Sequence, residues 1–339
     1  MVPLMTENCV IKLKSRPVEL PSVDHFEIAT EGMPTPGPGQ ALVHNAYAAL
    51  SPWQGQRLKD FRNYTKPFEI GEVIDGDMMG CVVASNAADL PVGTMVVGRT
   101  GWRQFALATP DTVEVLPAER DAVTALATLS SPGLTAYAGL AVAKRGMVGE
   151  TLVVTSAAGG VGSHVVQLGR LAGMRVIGLA GGPEKCAVVR DKLGADVAID
   201  YKSPDYEAAL AEALPNGFDL FFDTVGGTLG DAIFEHTAKF ATIVLVGRTA
   251  ANNSTNPGAD MVNVRVPWGQ NATVIGFNRY DRPDEWAAAR GRMERLASTG
   301  KIESLVSWAT GFDAIPGALG DMLAGRHVGK TLVRFGEIS

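Results

Sequence analysis

Two patterns of hydrophobic and polar positions divide the chain between residues 125 and 131. Before this point, short runs typical of strands, such as QALVHNAYAAL and GCVVASN, are separated by proline and glycine clusters, and no segment has a convincing helical period. From about Ser131, short apolar runs alternate with helical patterns. This alternation predicts a parallel sheet with helices on both faces.

The length of 339 residues favours two domains over one. The closing run GKTLVRF is separated from the alternating pattern by a helix and a loop, so we expect it to return to the first domain. The sequence thus predicts a mostly antiparallel β domain from residues 1–128 and 305–339. It predicts an α/β domain with a doubly wound parallel sheet from residues 129–304.

Glycine and proline positions predict several helix ends in the α/β domain. Gly173 and Gly194 follow helical patterns, where a left-handed residue commonly ends a helix. Pro183 is predicted to begin one helix. Ser203 and Pro204 are predicted to begin another, as N-cap and first helical residue.

Composition limits the partners and the compartment. A net charge of −6 with 19% charged residues leaves no basic stripe, so nucleic acid is not expected as a partner. The N-terminus has no basic segment followed by an apolar run, and nowhere does the chain have eighteen consecutive apolar residues. We therefore expect a soluble cytoplasmic protein. The cysteines and histidines show no metal-ligand spacing, and no metal site is expected.

The glycine-rich stretch SAAGGVGS lies between the buried run TLVVTSA and an amphipathic helical pattern. Ala157, Gly159 and Gly162 occupy the positions of the G-x-G-x-x-G fingerprint, with alanine replacing the first glycine. In that geometry the backbone approaches a pyrophosphate, which is held by free N–H groups and the positive end of the helix. The order of strand, turn, helix and strand favours dinucleotide binding over a merely structural turn. His164, in the following helix, is interpreted as a packing or surface residue.

The tip of the second strand of this pattern, in GLAGGPEKC, favours NADPH over NADH. An acid there would bind the ribose 2′-hydroxyl of NAD, and this chain has none at that position. Gly181 leaves room for a phosphate, Lys185 is placed to neutralise it, and Tyr201 can complete the pocket with its hydroxyl. The alternative is that Lys185 is one more exposed lysine of a helix.

With these motifs the chain resembles the medium-chain dehydrogenase/reductase superfamily. Within it, the chain resembles the zinc-free branch of leukotriene B4 dehydrogenase/prostaglandin reductases, plant alkenal double-bond reductases and bacterial curcumin reductase. The resemblance extends nearly end to end, from SRPVELP and PTPGPGQALV through SSPGLTAYAGL and AGGPEKC to GKTLVRF.

The resemblance implies a GroES-like catalytic domain, a Rossmann domain and a homodimer. It also implies NADPH-dependent reduction of a carbon–carbon double bond conjugated to a carbonyl in a small-molecule substrate. In that family Gly181, Lys185 and Tyr201 match the contacts to the 2′-phosphate. The residues assigned to the cofactor are Thr135, Ala157, Gly159, Gly160, Val161, Gly162, Gly181, Lys185, Tyr201 and Gly247.

Three departures from the family pattern fall near the expected substrate pocket. The loop VGRTAANNS has Asn252 where the family usually has a tyrosine that donates to the substrate carbonyl. SPWQGQR replaces D-P-Y-M-R-G-R, which places Trp53 and Gln54 in the pocket, and HVGK has His327 in place of an asparagine. Trp53 and Trp268 are expected to wall the pocket for a flat or bulky apolar substrate. This clustering indicates an altered substrate or an altered proton donor.

The proton donor has several candidates. Asn252 can donate a hydrogen bond through its amide but cannot surrender a proton, whereas His327 titrates near neutrality and can do both. Tyr64, in FRNYTKPFE, matches a tyrosine of many family members. The cofactor ribose and solvent can also relay the proton without a side chain.

Three functions remain open at this level: an NADPH-dependent enone or enal reductase, a zinc-free quinone or carbonyl reductase, and a non-catalytic NADPH-binding protein. The resemblance favours the first. Thr224 in FFDTVGG, where the closer relatives often have asparagine, slightly favours the second. Loss of the catalytic donor would leave the third.

Overall fold

The computed structural model describes residues 6–60, 65–143, 146–250, 265–278 and 282–337. Its strands are β1 (Glu7–Leu13), β2 (Phe26–Gly32), β3 (Ala41–Leu50), β4 (Asp77–Ser85), β5 (Met95–Gly98), β6 (Phe105–Ala108), β7 (Val113–Val115), β8 (Thr151–Val154), β9 (Arg175–Ala180), β10 (Val197–Asp200), β11 (Phe218–Asp223), β12 (Thr237–Leu245), β13 (Thr273–Gly276), β14 (Val306–Thr310) and β15 (Lys330–Arg334). Its α-helices are α1 (Pro52–Leu58), α2 (Ser131–Val142), α3 (Gly162–Leu171), α4 (Pro183–Ala187), α5 (Tyr206–Ala213), α6 (Gly227–Phe234), α7 (Arg265–Gly269), α8 (Pro283–Ser298) and α9 (Ile315–Leu323). Short 3₁₀ turns span Val23–His25 and Phe312–Ala314, and π turns span Thr124–Thr128 and Val188–Lys192.

The first of two compact units combines both ends of the chain, Met1–Ala127 and Val306–Ser339. Its larger sheet has the order β14-β15-β3-β4-β5-β7, with β6 also paired to β3, and β1 pairs with β2 in a second sheet. Apart from the parallel pair β14 and β15, the neighbours are antiparallel. Strand β15 pairs with β3, with Thr331 opposite Leu50, so the C-terminal segment is part of this unit.

Helix α1 forms in a part of the chain where the sequence predicted no helix. Ser51 is its N-cap and Pro52 its first residue, and the Gln54 side chain accepts a hydrogen bond from the Ser51 N–H at 2.8 Å. The helix has only 7 residues, too few for a hydrophobic period to stand out. The prediction was therefore wrong here, although the capping residues were visible in the sequence.

The second unit, Thr128–Leu305, is an α/β domain. Its sheet has the order β10-β9-β8-β11-β12-β13, and every neighbouring pair is parallel. The strand order reverses between β8 and β11, which is the switch point where doubly wound sheets bind ligands at the carboxyl ends of their strands. Leu152, Val153 and Val154 of β8 are fully buried. The predicted fold class is confirmed.

Helix α2 continues an apolar segment, Thr124–Val142, that by length and composition alone is able to span a membrane. In this protein 67% of its apolar window is buried inside the structure, and α2 packs against α3 and α8. Gly139 lies against Phe222 of β11, where a Cβ atom would come within 2.7 Å of the ring. Such close packing is typical of a core helix.

Most predicted helix ends in this unit are confirmed. Gly173 and Gly194 have φ angles of +77° and +74°, and Pro183 is the first residue of α4. The predicted start of α5 at Ser203 was wrong, because the helix begins at Tyr206 with Asp205 as N-cap. Residues 201–205 instead form a turn held by the N–H of Ser203, which donates to the Asp200 carbonyl at 3.0 Å.

Candidate active site

A tight turn follows strand β8. Ser156 has a φ of +50°, and its carbonyl accepts a hydrogen bond from the Gly159 N–H at 2.8 Å. A Cβ atom on Gly162 would lie 2.2 Å from the same carbonyl oxygen, so only glycine fits there. Ala157 is fully buried, and its N–H donates to Leu179 of β9 at 2.9 Å. The turn is therefore anchored to the neighbouring strand.

The turn leaves three backbone donors without an acceptor in the described part of this unit. These donors are the N–H groups of Gly160, Val161 and Gly162. They stand at the N-terminal end of α3, where the helix dipole is positive. Unpaired N–H groups beside a helix N-terminus fit a pyrophosphate.

The tip of β9 brings two lysines and a tyrosine together. A Cβ atom on Gly181 would lie 2.7 Å from the Tyr201 hydroxyl oxygen and 3.0 Å from Cε of Lys202. Burial lowers the pKa of Lys185, and the positive charge of Lys202 acts in the same direction. Burial, together with the carboxylate of Asp200, raises the pKa of Tyr201. This pair of cations beside a glycine fits a 2′-phosphate.

Asp200 ends strand β10 next to these residues. Its Oδ1 accepts hydrogen bonds from the N–H groups of Gly182 at 2.7 Å and Lys202 at 3.0 Å. The carboxylate thus holds the β9 tip and the Lys202 backbone together. Because these backbone donors occupy Oδ1, the acid organises the loop around the lysines.

Asp223, at the end of β11, joins the ends of β8 and β12 through its side chain and its backbone carbonyl, respectively. Asp223 is 1% exposed, and its Oδ1 accepts hydrogen bonds from the Thr155 hydroxyl at 2.8 Å and the Val225 N–H at 2.9 Å. Burial raises the pKa of Asp223, while its hydrogen bonds oppose that shift. The Gly247 N–H donates to the Asp223 carbonyl, and a Cβ atom on Gly247 would lie 2.9 Å from the Thr224 carbonyl oxygen.

Two of the other residues assigned by the sequence lie on described helices, and two lie outside the described residues. Thr135 is buried on α2, and Trp268 is 81% exposed on α7. Asn252 and Tyr64 lie outside the described residues. The roles predicted for these four residues stay predictions.

In the first unit, Gln54 is fully buried, and both ends of its amide are occupied. Its oxygen accepts from Ser51, and its Nε2 donates to the Asp75 carbonyl at 3.0 Å. This arrangement fixes α1, which also carries Trp53. Any contribution of Gln54 to a substrate pocket is therefore through the position of this helix.

Trp53 is half-buried beside two guanidinium groups. Arg99 lies 4.6 Å and Arg57 5.8 Å from the centre of the Trp53 ring. Both arginines bind the carboxylate of Asp75. The buried Nε1 of Trp53 has no hydrogen-bond partner in the described part of the chain.

His327 lies in the loop before β15 and is half-buried. Its Nδ1 is 2.8 Å from the hydroxyl of Thr331, which orients the imidazole ring. An oriented imidazole can donate a hydrogen bond and a proton.

Two family models match separate parts of the chain. The model described as the N-terminal domain of oxidoreductase matches residues 10–116, and the one described as zinc-binding dehydrogenase matches residues 160–295. The chain is 33% identical to the NADPH-dependent curcumin reductase of Escherichia coli (strain K12), covering 95% of each protein. It is 32% identical to prostaglandin reductase 1 of Bos taurus, covering 95% of this chain and 97% of that one.

The chain belongs to the medium-chain dehydrogenase/reductase family. The crystal structure of CurA from Vibrio vulnificus in complex with NADPH superimposes on this reductase with a TM-score of 0.91 at 32% identity. That comparison covers 97% of this chain and 99% of the other. The resemblance stated from the sequence is confirmed, and the chain is an oxidoreductase.

One of the two family models is described as a zinc-binding dehydrogenase, but the described residues of this reductase offer no group of zinc ligands. Nowhere among them do three His, Cys, Asp or Glu side chains come together as a metal site.

Sequence reasoning did not single out Lys202 and Asp200. Asp200 is the last residue of the run ADVAID and Lys202 follows it, so the available signal was an acid and a lysine flanking Tyr201 at a strand end. Their relation to Gly181 depends on the pairing of β10 with β9, which only the fold supplies.

Proposed function

We propose that this reductase uses NADPH to reduce the carbon–carbon double bond of α,β-unsaturated ketones or aldehydes. The observation that carries the proposal is the cluster of Lys185, Lys202 and Tyr201 beside Gly181, one strand away from the glycine turn. Relatives named NADPH-dependent curcumin reductase and prostaglandin reductase support the same chemistry.

NADPH, when bound, supplies a hydride to the β-carbon of the substrate. In our proposal the N–H groups of Gly160, Val161 and Gly162 hold the pyrophosphate. Lys185 and Lys202 neutralise the 2′-phosphate, and Tyr201 donates a hydrogen bond to it. A chain that carries these groups binds NADPH more tightly than NADH.

The substrate carbonyl oxygen gains negative charge during the reaction and needs a hydrogen-bond donor. We propose His327 for this role, because Thr331 orients its ring and an imidazole can also supply the proton for the α-carbon. Asn252 and Tyr64 are the other candidates in the chain. Trp53 is proposed to contact a flat or bulky apolar part of the substrate.

We also propose that the reductase is a homodimer. Among the described strands, β13 is an edge of its sheet and pairs only with β12. Large apolar side chains are exposed beside this edge, with Trp268 81%, Phe240 63% and Val274 44% exposed. An open strand edge with an apolar surface favours association with a second copy of the chain.

The function is tested by NADPH oxidation with a panel of conjugated enals, enones, quinones and simple ketones, with every product identified by mass and NMR. Saturated carbonyl products support the proposal. Alcohols or hydroquinones would instead establish a carbonyl or quinone reductase. Tight NADPH binding without turnover of any compound would favour a binding protein.

A further inference from the structure

His164 connects two separate parts of the second unit. Its side chain is 1% exposed on α3, and both ring nitrogens are hydrogen-bonded. Nδ1 lies 2.7 Å from the Gly160 carbonyl oxygen, and Nε2 lies 3.0 Å from the Ser304 hydroxyl. The Ser304 hydroxyl in turn bonds the hydroxyl of Thr128. The sequence interpretation of His164 as packing or surface therefore missed two polar contacts.

The chemistry of the partners fixes the direction of these bonds. A carbonyl oxygen only accepts, so Nδ1 of His164 carries the proton and donates it to Gly160. Burial lowers the pKa of His164, which keeps the ring neutral and leaves Nε2 as an acceptor for the Ser304 hydroxyl. Ser304 then accepts from Thr128. One chain of donors thus runs from Thr128 to the glycine turn.

The bond to Gly160 also orients the next peptide group. In a trans peptide the C=O of Gly160 and the N–H of Val161 point in opposite directions. A carbonyl held toward His164 therefore presents the Val161 N–H on the opposite side, away from α3. The Ser163 hydroxyl reaches the same carbonyl, but at the longer distance of 3.4 Å.

Thr128 and Ser304, which begin this series of hydrogen bonds, lie where the chain enters and leaves the unit. The unit begins at Thr128 and ends at Leu305, so Thr128 and Ser304 join its two terminal segments. Gln167, one turn after His164, binds the backbone of Glu303 in both directions at 2.9 Å. Helix α3 therefore binds the last residues of the unit through two side chains, His164 to Ser304 and Gln167 to Glu303.

We propose that His164 is a positioning residue for the cofactor, which fixes the Gly160–Val161 peptide with its N–H toward the pyrophosphate and is itself held by Ser304 and Thr128. The inference rests on the proposed NADPH-dependent function. In this proposal His164 contributes part of the protein's affinity for the pyrophosphate, in addition to what the glycine turn provides by itself.

The test compares two probes in the full-length protein. NADPH contacts both the glycine turn and the β9 tip, whereas adenosine 2′-monophosphate has no pyrophosphate and reports the β9 tip alone. Dissociation constants are measured by calorimetry for wild type, His164→Gln and His164→Asn. Asparagine places an amide N–H near the position of Nδ1, and glutamine extends toward Ser304 instead. Ser163→Ala serves as the matched control.

We expect His164→Gln to weaken NADPH binding about tenfold, His164→Asn to stay within about threefold of wild type, and the monophosphate to bind all variants equally. Ser163→Ala should stay within about twofold. If His164→Gln does not fold, Ser304→Ala keeps the donor to Gly160 and should weaken NADPH about threefold, again without affecting the monophosphate.

Unchanged NADPH binding in His164→Gln and Ser304→Ala would overturn the inference. Equal weakening of both probes, or equal loss in the asparagine and glutamine variants, would also overturn it, because either result indicates a general packing role. Failure of wild type to prefer NADPH over NADH would instead overturn the proposed function itself, and the inference with it.

Discussion

Cofactor discrimination in our account depends on a few side chains at the tip of β9. Gly181 leaves the space that Tyr201 and Lys202 border, since a Cβ atom there would lie 2.7 Å from the tyrosine hydroxyl. Burial lowers the pKa of Lys185, and the charge of Lys202 lowers it further. A bound phosphate would relieve this repulsion between the two ammonium groups, which favours the phosphorylated cofactor.

We predict that Lys185→Ala weakens NADPH binding by roughly tenfold to a hundredfold and changes NADH binding little, because hydrogen bonds to charged groups contribute about 1.5–3 kcal/mol. Lys202→Ala should act in the same direction but less strongly, since Lys202 is exposed. Both are measured by calorimetric titration. The control is Lys239→Ala, which removes an exposed lysine on β12. Equal weakening of both cofactors by Lys185→Ala would contradict the assignment.

His327 is the residue that we propose as the proton donor. We expect His327→Ala to lower kcat by about a hundredfold or more and to change KM little, because a general acid acts mainly in the transition state. Steady-state kinetics with an enone checks it, and Thr331→Val should give a smaller loss in the same parameter. Unchanged kinetics in His327→Ala would remove the histidine from the mechanism.

Among the elements, the turn after β11 holds the carboxyl ends of three strands together. The Asp223 side chain accepts from Thr155, Val225 and Gly226, and its backbone carbonyl accepts from Val246 and Gly247. A single buried carboxylate thus supports the loops at the switch point of the sheet.

We predict that Asp223→Asn lowers the free energy of unfolding by roughly 1–3 kcal/mol, because the amide N–H₂ would face backbone donors and leave buried groups unsatisfied. Thermal and denaturant unfolding measure this change. Glu184→Gln, on the exposed side of α4, should leave stability unchanged. An equally stable Asp223→Asn protein would show that the hydrogen bonds of this turn contribute little.

The elements also show what the sequence could predict. The strands of the parallel sheet were readable because each contains a short apolar run, and the glycine turn was readable because a strand and a helix flank it. Helix α1 escaped prediction because it is short, and the start of α5 because Asp200 holds the chain in a turn before Asp205. His164 and Lys202 acquire their contacts from the fold and have no local signal.

At the scale of the whole molecule, we expect the exposed edge at β13 to form the interface of the proposed homodimer. Trp268→Lys combined with Val274→Lys should convert the proposed dimer to a monomer, because the charges would face an apolar surface of the second copy. Sedimentation velocity distinguishes the two states. Leu171→Lys, which changes an exposed apolar residue at the end of α3, should stay dimeric. A monomeric wild type would contradict the proposal.

The central claim is that hydride reaches the β-carbon of a conjugated carbonyl compound. The most direct measurement uses NADPH carrying deuterium at both C4 positions, an apolar aryl enone and NMR analysis of the product. We predict a saturated ketone with one deuterium at the β-carbon and a solvent-derived hydrogen at the α-carbon. An allylic alcohol with deuterium at the former carbonyl carbon would contradict the account.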